Sequence, residues 1–375
     1  MTPAARNFGR GARSWAGLLA LALALPGLAI DPRMFFAAWL AAWWTCLGIA
    51  LGALANVWMQ RLSGGQWGEA LRPVAFALAR RMPWVLLLGV PVAIGIPWLY
   101  PWAAADADWL DGIARPAFLS SWLQPSFFVA RLVVYALVWW WLAQQRDPTL
   151  SKGRAAASLL VWAMLTSLAA IDLLMSLVAG WYSTGFGLIV LTSQMYGGAA
   201  FAIAVVATAG ALPHAQPDRL SERPPLGRDL GNLLLMYAMT WGYLAFMQFL
   251  IIWAENLPRE ISWYLPRLHT GWRWFGLVVV LAYLVVPFLL LLFRALKDRA
   301  QRLATIAWAL VAAQILYSTW LVVPSVDAHS PHAWWLVPLC ALGLLLVLFG
   351  SVPRTIDERR VDEGPAAREA TDGAA

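Results

Sequence analysis

Long apolar stretches separated by short polar ones dominate this chain. Ten runs are long enough to cross a bilayer, at 14–30, 34–60, 83–103, 126–144, 155–180, 185–211, 230–254, 275–297, 304–324 and 333–352. The third is interrupted by Pro91 and Pro97, which membrane helices tolerate where neighbours satisfy the freed carbonyls. The pattern predicts an all-α polytopic membrane protein of about ten spans, with its transmembrane domain over 1–353. The polar, Ala/Gly-rich stretch 354–375 is too poor in apolar residues to fold and reads as a disordered tail.

Loop charge supplies an orientation. Arg6, Arg10 and Arg13 precede the first run, and Arg61, Arg72, Arg80 and Arg81 fall between the second and third. Arg146, Lys152 and Arg154 precede the fifth; Arg219, Arg223 and Arg228 follow the sixth; Lys297, Arg299 and Arg302 follow the eighth. The alternate loops hold Asp106, Asp108 and Asp111, or the uncharged "WYST". Ten spans place every strongly basic loop on one side. That side is expected to be the cytoplasm of a bacterial inner membrane, with both termini inside. The segment 255–273 departs from this, since Arg259, Arg267 and Arg273 are only partly offset by Glu255 and Glu260. Its "WYLPRL" is amphipathic and fits either a docking cap outside the membrane or an interfacial turn. The first run also fits a signal peptide, but no A-x-A cleavage site follows it, so an uncleaved helix is expected.

Composition sharpens the class. The chain is 61% hydrophobic and 13% charged, a balance that no soluble fold of this size needs. Its net charge of +7 is accounted for by the loops, and a nucleic-acid partner is not expected. Cys46 and Cys340 lie far apart inside apolar runs, which argues against a disulfide framework. His214, His269, His329 and His332 all fall outside the runs, whereas a membrane-embedded b-type haem needs histidine at depth. No nucleotide-binding loop or cysteine cluster is present. The chain is expected to bring no cofactor of its own.

What chemistry remains lies inside the runs. Asp172 stands in "AAIDLLMSLVAGWYST", roughly 12 Å beneath the outer end of its run at 1.5 Å per residue. Arg131 lies roughly 7 Å in by the same count. Gln248 and Gln194 fall in the same outer half. An ionised side chain at such depth faces protein or water and takes a partner. Asp172 reads either as half of a structural ion pair or as a proton relay or quinone contact, with Arg131 or Gln248 as its partner. Arg131 is shallow enough to snorkel outward, and Gln248 fits interhelical hydrogen bonding. Ala169, Ser176 and Ala179 share a helical face with Asp172, which would let a neighbouring helix approach. Tyr237, Thr240, Trp241, Leu244 and Gln248 form a polar-aromatic stripe expected to face protein.

Several stretches together resemble one family. They are "IDLLMSLVAGWYSTGFG" (171–187), "WGYLAFMQFLIIWAENLPREISWYLPRL" (241–268) and "VVPFLLLLFRALK" (285–297), with "FFVARLVVYALVWW" (127–140) and "YSTWLVVPS" (317–325) in support. They resemble the quinone-binding subunit 2 of quinol:cytochrome c oxidoreductase, or alternative complex III, within the polysulfide-reductase-type membrane anchors. The resemblance covers most of 125–325 in order. It implies two helical bundles, a quinone as ligand, and homologous membrane, haem c and iron–sulfur subunits as partners. Asp172 falls on the family's motif aspartate, where a carboxylate could accept protons from quinol. The chain departs from the family where Gln314 and Tyr317 stand in place of an Arg and an Asp, and where "FLSSWLQPS" replaces a Lys/Tyr/Asn group. These departures point to an auxiliary or proton-conducting subunit; a transporter or assembly factor that keeps the fold is the alternative.

Overall fold

The computed structural model describes residues 3–103, 116–210 and 226–352, and side chains from Ala12 onward. The charges at Arg6, Arg10, Asp106, Asp108, Asp111, Arg219 and Arg223, His214 and the tail 354–375 lie outside what is described. Among the described residues every regular element is helical. Eight helices are long and apolar enough to cross a membrane: α1 (Ala12–Ile30), α2 (Pro32–Ser63), α5 (Pro125–Gln144), α6 (Lys152–Leu173), α7 (Phe186–Thr208), α8 (Leu226–Glu255), α9 (Trp272–Leu292) and α10 (Ala300–Val326). A bent pair, α3 (Trp67–Ala79) and α4 (Met82–Ile94), makes a ninth if counted as one span. The shorter apolar helix α11 (Ala333–Phe349) completes the series. The chain is a membrane-embedded helical protein.

Two groups of helices meet along α2 and α7. The first gathers α2 to α6, the second α7 to α10, and α1 pairs with α11 along their lengths. Apolar windows of both α2 and α7 are fully buried within the bundle. Glycine lets them touch. A Cβ at Gly52 would stand 1.8 Å from the Gln194 carbonyl oxygen, and one at Gly198 would stand 2.2 Å from the Ala53 nitrogen. Helix backbones this close require the small residues that pack membrane helices where no hydrophobic drive exists between them.

Contacts between distant segments close each end of the bundle. At one end Arg13 donates to the Gly350 carbonyl, Arg61 to the Leu150 carbonyl, and Arg228 pairs with Asp298. At the other, Ser330 donates to Asp31, and Trp272 to the Ala328 carbonyl.

Four segments depart from the expected pattern. Arg72 lies within α3 instead of in a loop, and Arg80 and Arg81 mark the 50° bend between α3 and α4. There Arg81 reaches the Ser351 hydroxyl beyond α11. The run expected at 83–103 comes out as short helical pieces, divided near Gly89 and Gly95, where Pro83, Pro91 and Pro97 start successive helices. Proline removes a backbone donor and is accepted at a helix's first turn, so each piece restarts on one. Helix α9 contains a π-helical turn over Leu281–Val285 and stops at the extended Phe293, five residues short of the expected 297 at Leu292. The fifth run loses its last turns as a helix: α6 ends at Leu173, and a single 3-10 turn, Met175–Leu177, follows.

Candidate functional site

Helix α5 is polar on its buried side. Phe128, Arg131, Tyr135, Trp139 and Leu142 recur at three- and four-residue spacing and are buried, while Val133, Leu137 and Trp141 face outward. In lipid this inversion is the stable arrangement, because the polar groups find each other in protein. Across from it, α6 buries Ser158, Trp162, Thr166 and Asp172. Trp139 donates to Thr166 Oγ1 at 3.2 Å and ties the two helices at mid-length.

Asp172, 1% exposed, receives four donors. Arg131 Nε lies 2.7 Å from Oδ2 and Nη2 lies 3.2 Å from Oδ1. Tyr135 Oη donates to Oδ2 at 2.6 Å, and Trp122 Nε1 to Oδ1 at 3.0 Å. Each oxygen therefore accepts two bonds, which uses the carboxylate's capacity. The remaining Arg131 nitrogen, Nη1, donates to the Trp122 carbonyl at 2.8 Å, and its guanidinium lies 4.2 Å from the Trp122 ring centroid. Arg131 is thus the partner of Asp172, and it does not snorkel outward.

The helix stops beside this cluster for a local reason. Ser176 Oγ donates back to the Asp172 carbonyl, and Tyr100 Oη takes the Leu173 carbonyl at 3.0 Å. With those two terminal acceptors engaged by side chains, the chain leaves the helix. Ser176 and Ala179 therefore do not continue the face of Asp172 to receive a neighbouring helix. They line a cavity of about 510 Å³ instead, together with Asp172, Trp122, Trp181 and Arg259.

Gln248 belongs elsewhere. It accepts from Ser183 at 2.9 Å and donates to Tyr264 at 3.4 Å, and it lines a second cavity of about 410 Å³ between α8, α9 and α10. On its stripe Tyr237 and Trp241 are buried as expected, whereas Thr240 is exposed and bonds back to the Met236 carbonyl. Gln194 is in a third place, on α7 over Gly48, with neither amide atom hydrogen-bonded. Of the four predicted site residues the structure joins two, Asp172 and Arg131. No family model matches the chain, and no curated protein matches it either.

Residues not singled out beforehand complete the picture. Tyr135 lies one turn after Arg131, a spacing that the sequence shows. Trp122 comes from a separate short helix, Pro116–Trp122, and no periodicity points to it. The segment 255–273 forms two short helices, and its Trp263 and Arg267 are buried, so neither serves as an outward docking residue. Arg267 donates to the carbonyls of Trp263, Trp320 and Leu321 and to Ser325 Oγ. The two cavities share a partition: Trp181 stacks on Trp263 at 5.1 Å and donates to the Glu260 carbonyl at 2.9 Å.

Proposed function

We propose that this chain is an auxiliary membrane subunit of a quinol-oxidising respiratory complex of the alternative complex III type. The observation that carries this reading is convergence. Three of the stretches that bear the resemblance, from the end of α6, α8 with its following segment, and α10, build the walls of two adjoining cavities, and a fourth, from α5, supplies the arginine that holds Asp172. Sequence similarity scattered over lipid-facing surface would carry much less weight. The basic end of the bundle then faces the cytoplasm of a bacterial inner membrane. Haem c, iron–sulfur and homologous membrane subunits are the partners.

Within that complex Asp172 is a positioning group. A quinol hydroxyl entering its cavity meets a carboxylate whose oxygens are already engaged, so Asp172 accepts a proton only by exchanging one of its donors. Oxidation of quinol, with its two electrons and two protons, is accordingly assigned to a related subunit. The alternative of a transporter has one observation to build on, the break between α3 and α4. That break lines neither cavity described above.

Purification from the native membrane in mild detergent tests the reading. Co-purifying haem c and iron–sulfur subunits, with quinol-dependent haem reduction, are expected. A colourless chain purified alone from that membrane would count against it.

A further inference from the structure

The second cavity carries positive charge with no carboxylate against it among the described residues. Arg267, 1% exposed, and Arg273 line it, and no aspartate or glutamate does. The Arg267 guanidinium lies 3.5 Å from the Trp263 ring centroid, and all four of its hydrogen-bond acceptors are neutral. Arg131, by contrast, meets a carboxylate at close range. Burial draws Arg267 down to about 9, which still leaves it cationic at neutral pH. A buried charge without a counter-charge is costly, and an anion that arrives from outside recovers part of that cost.

The surroundings specify what kind of anion. Phe246, Phe249, Leu277 and Val280 line the same cavity and are exposed on the outer surface of α8 and α9, so the opening faces the bilayer. Arg273 stands in the first turn of α9, where the chain enters the membrane, with Trp274 against its guanidinium, and Trp263, Tyr264 and Trp272 line the same cavity, as aromatic residues do at an interface. Charge thus lies at headgroup depth, with apolar wall beneath. We propose that this cavity binds one anionic phospholipid, its phosphate at Arg267 and Arg273 and an acyl chain along Phe246, Leu277 and Val280. A zwitterionic lipid brings its own ammonium and gains less from the pair. A quinone ring brings no charge.

The test is native mass spectrometry of the full chain, with whatever subunits accompany it, after exchange into detergent holding phosphatidylglycerol or phosphatidylcholine. One phospholipid per chain is expected, with phosphatidylglycerol preferred by about thirtyfold, the effect of two arginines at roughly 1 kcal/mol each. Arg267 also ties its segment to α10, so the diagnostic variants are Arg273→Gln, which removes the exposed charge, and Ala245→Trp, which fills the cavity. The first should lower retention about fivefold, and the second should abolish it, both without loss of the folded chain. Equal retention of the two lipids, undiminished retention in both variants, or a quinone in the lipid's place would overturn the proposal. None of these readouts depends on quinol turnover, so failure here leaves the respiratory reading standing, and the reverse.

Discussion

The Arg131 guanidinium engages Asp172 through two nitrogens, at 2.7 and 3.2 Å, and holds the Trp122 carbonyl with the third. One arginine thus fixes both the carboxylate and the short helix that roofs it. Removing one member of a buried ion pair strands the other, and the stranded charge, more than the lost attraction, sets the penalty. Asp172→Leu should therefore destabilise the fold by about 3–5 kcal/mol. The double variant Asp172→Leu with Arg131→Met should regain most of that loss. Thermal unfolding in detergent measures both, and a double variant no better than the single would contradict the ion-pair account.

Asp172→Asn separates positioning from proton relay. Asparagine keeps the shape but offers one acceptor oxygen, so Arg131 loses its charged partner. As a positioning group, Asp172→Asn should assemble at reduced thermal stability and turn over quinol near the wild-type rate. A fully assembled complex slowed tenfold or more would instead restore the relay.

Tyr135→Phe deletes one donor and leaves Oδ2 bonded to Arg131. A hydrogen bond to a charged group contributes about 1.5–3 kcal/mol, and a loss in that range is expected. Trp122→Phe should cost less, because stacking on Arg131 survives. If Tyr135→Phe is silent, the 2.6 Å contact is not contributing.

Gln194 predicts a gain. Its amide is buried with no partner on either atom, and such groups cost about 1–3 kcal/mol each. Gln194→Met, of similar volume, should raise the unfolding temperature. A lower temperature would show that the amide has a partner in the membrane.

Glycine substitutions grade the contact between α2 and α7. Gly52→Ala places a methyl against backbone and should prevent stable accumulation, whereas Gly153→Ala, with open space around it, should be neutral. Membrane levels of the two variants, compared by immunoblot, give the answer.

How much of this was legible in the sequence depends on whether the cause was local. Run length located most of the spans, because bilayer thickness imposes it. Asp172 and Arg131 were legible as a charged pair in the outer half, and the four-residue step from Arg131 to Tyr135 was open to view. The stop of α6 at Leu173 was not. It depends on Tyr100, 73 residues earlier, taking a carbonyl that periodicity would assign to another turn. Gln248 was misplaced for a similar reason: its acceptor-seeking neighbour, Ser183, lies in the uncharged "WYST" that the hydropathy pattern treats as an ordinary loop. The arginine pair of the second cavity read as loop charge, since only packing shows that Arg267 lies against Trp263 and Trp320 in the cavity wall.

Trp181 lines the cavity beside Asp172, and its ring lies nearly parallel, at 20°, to that of Trp263, which lines the other. A rigid partition transmits displacement. Whatever occupies the second cavity and steadies Trp263 must also change the freedom of the Trp181 ring, and so the volume open to a guest near Asp172. By linkage the influence runs equally in the opposite direction. Two ligands that never touch would then report on each other's presence through one indole.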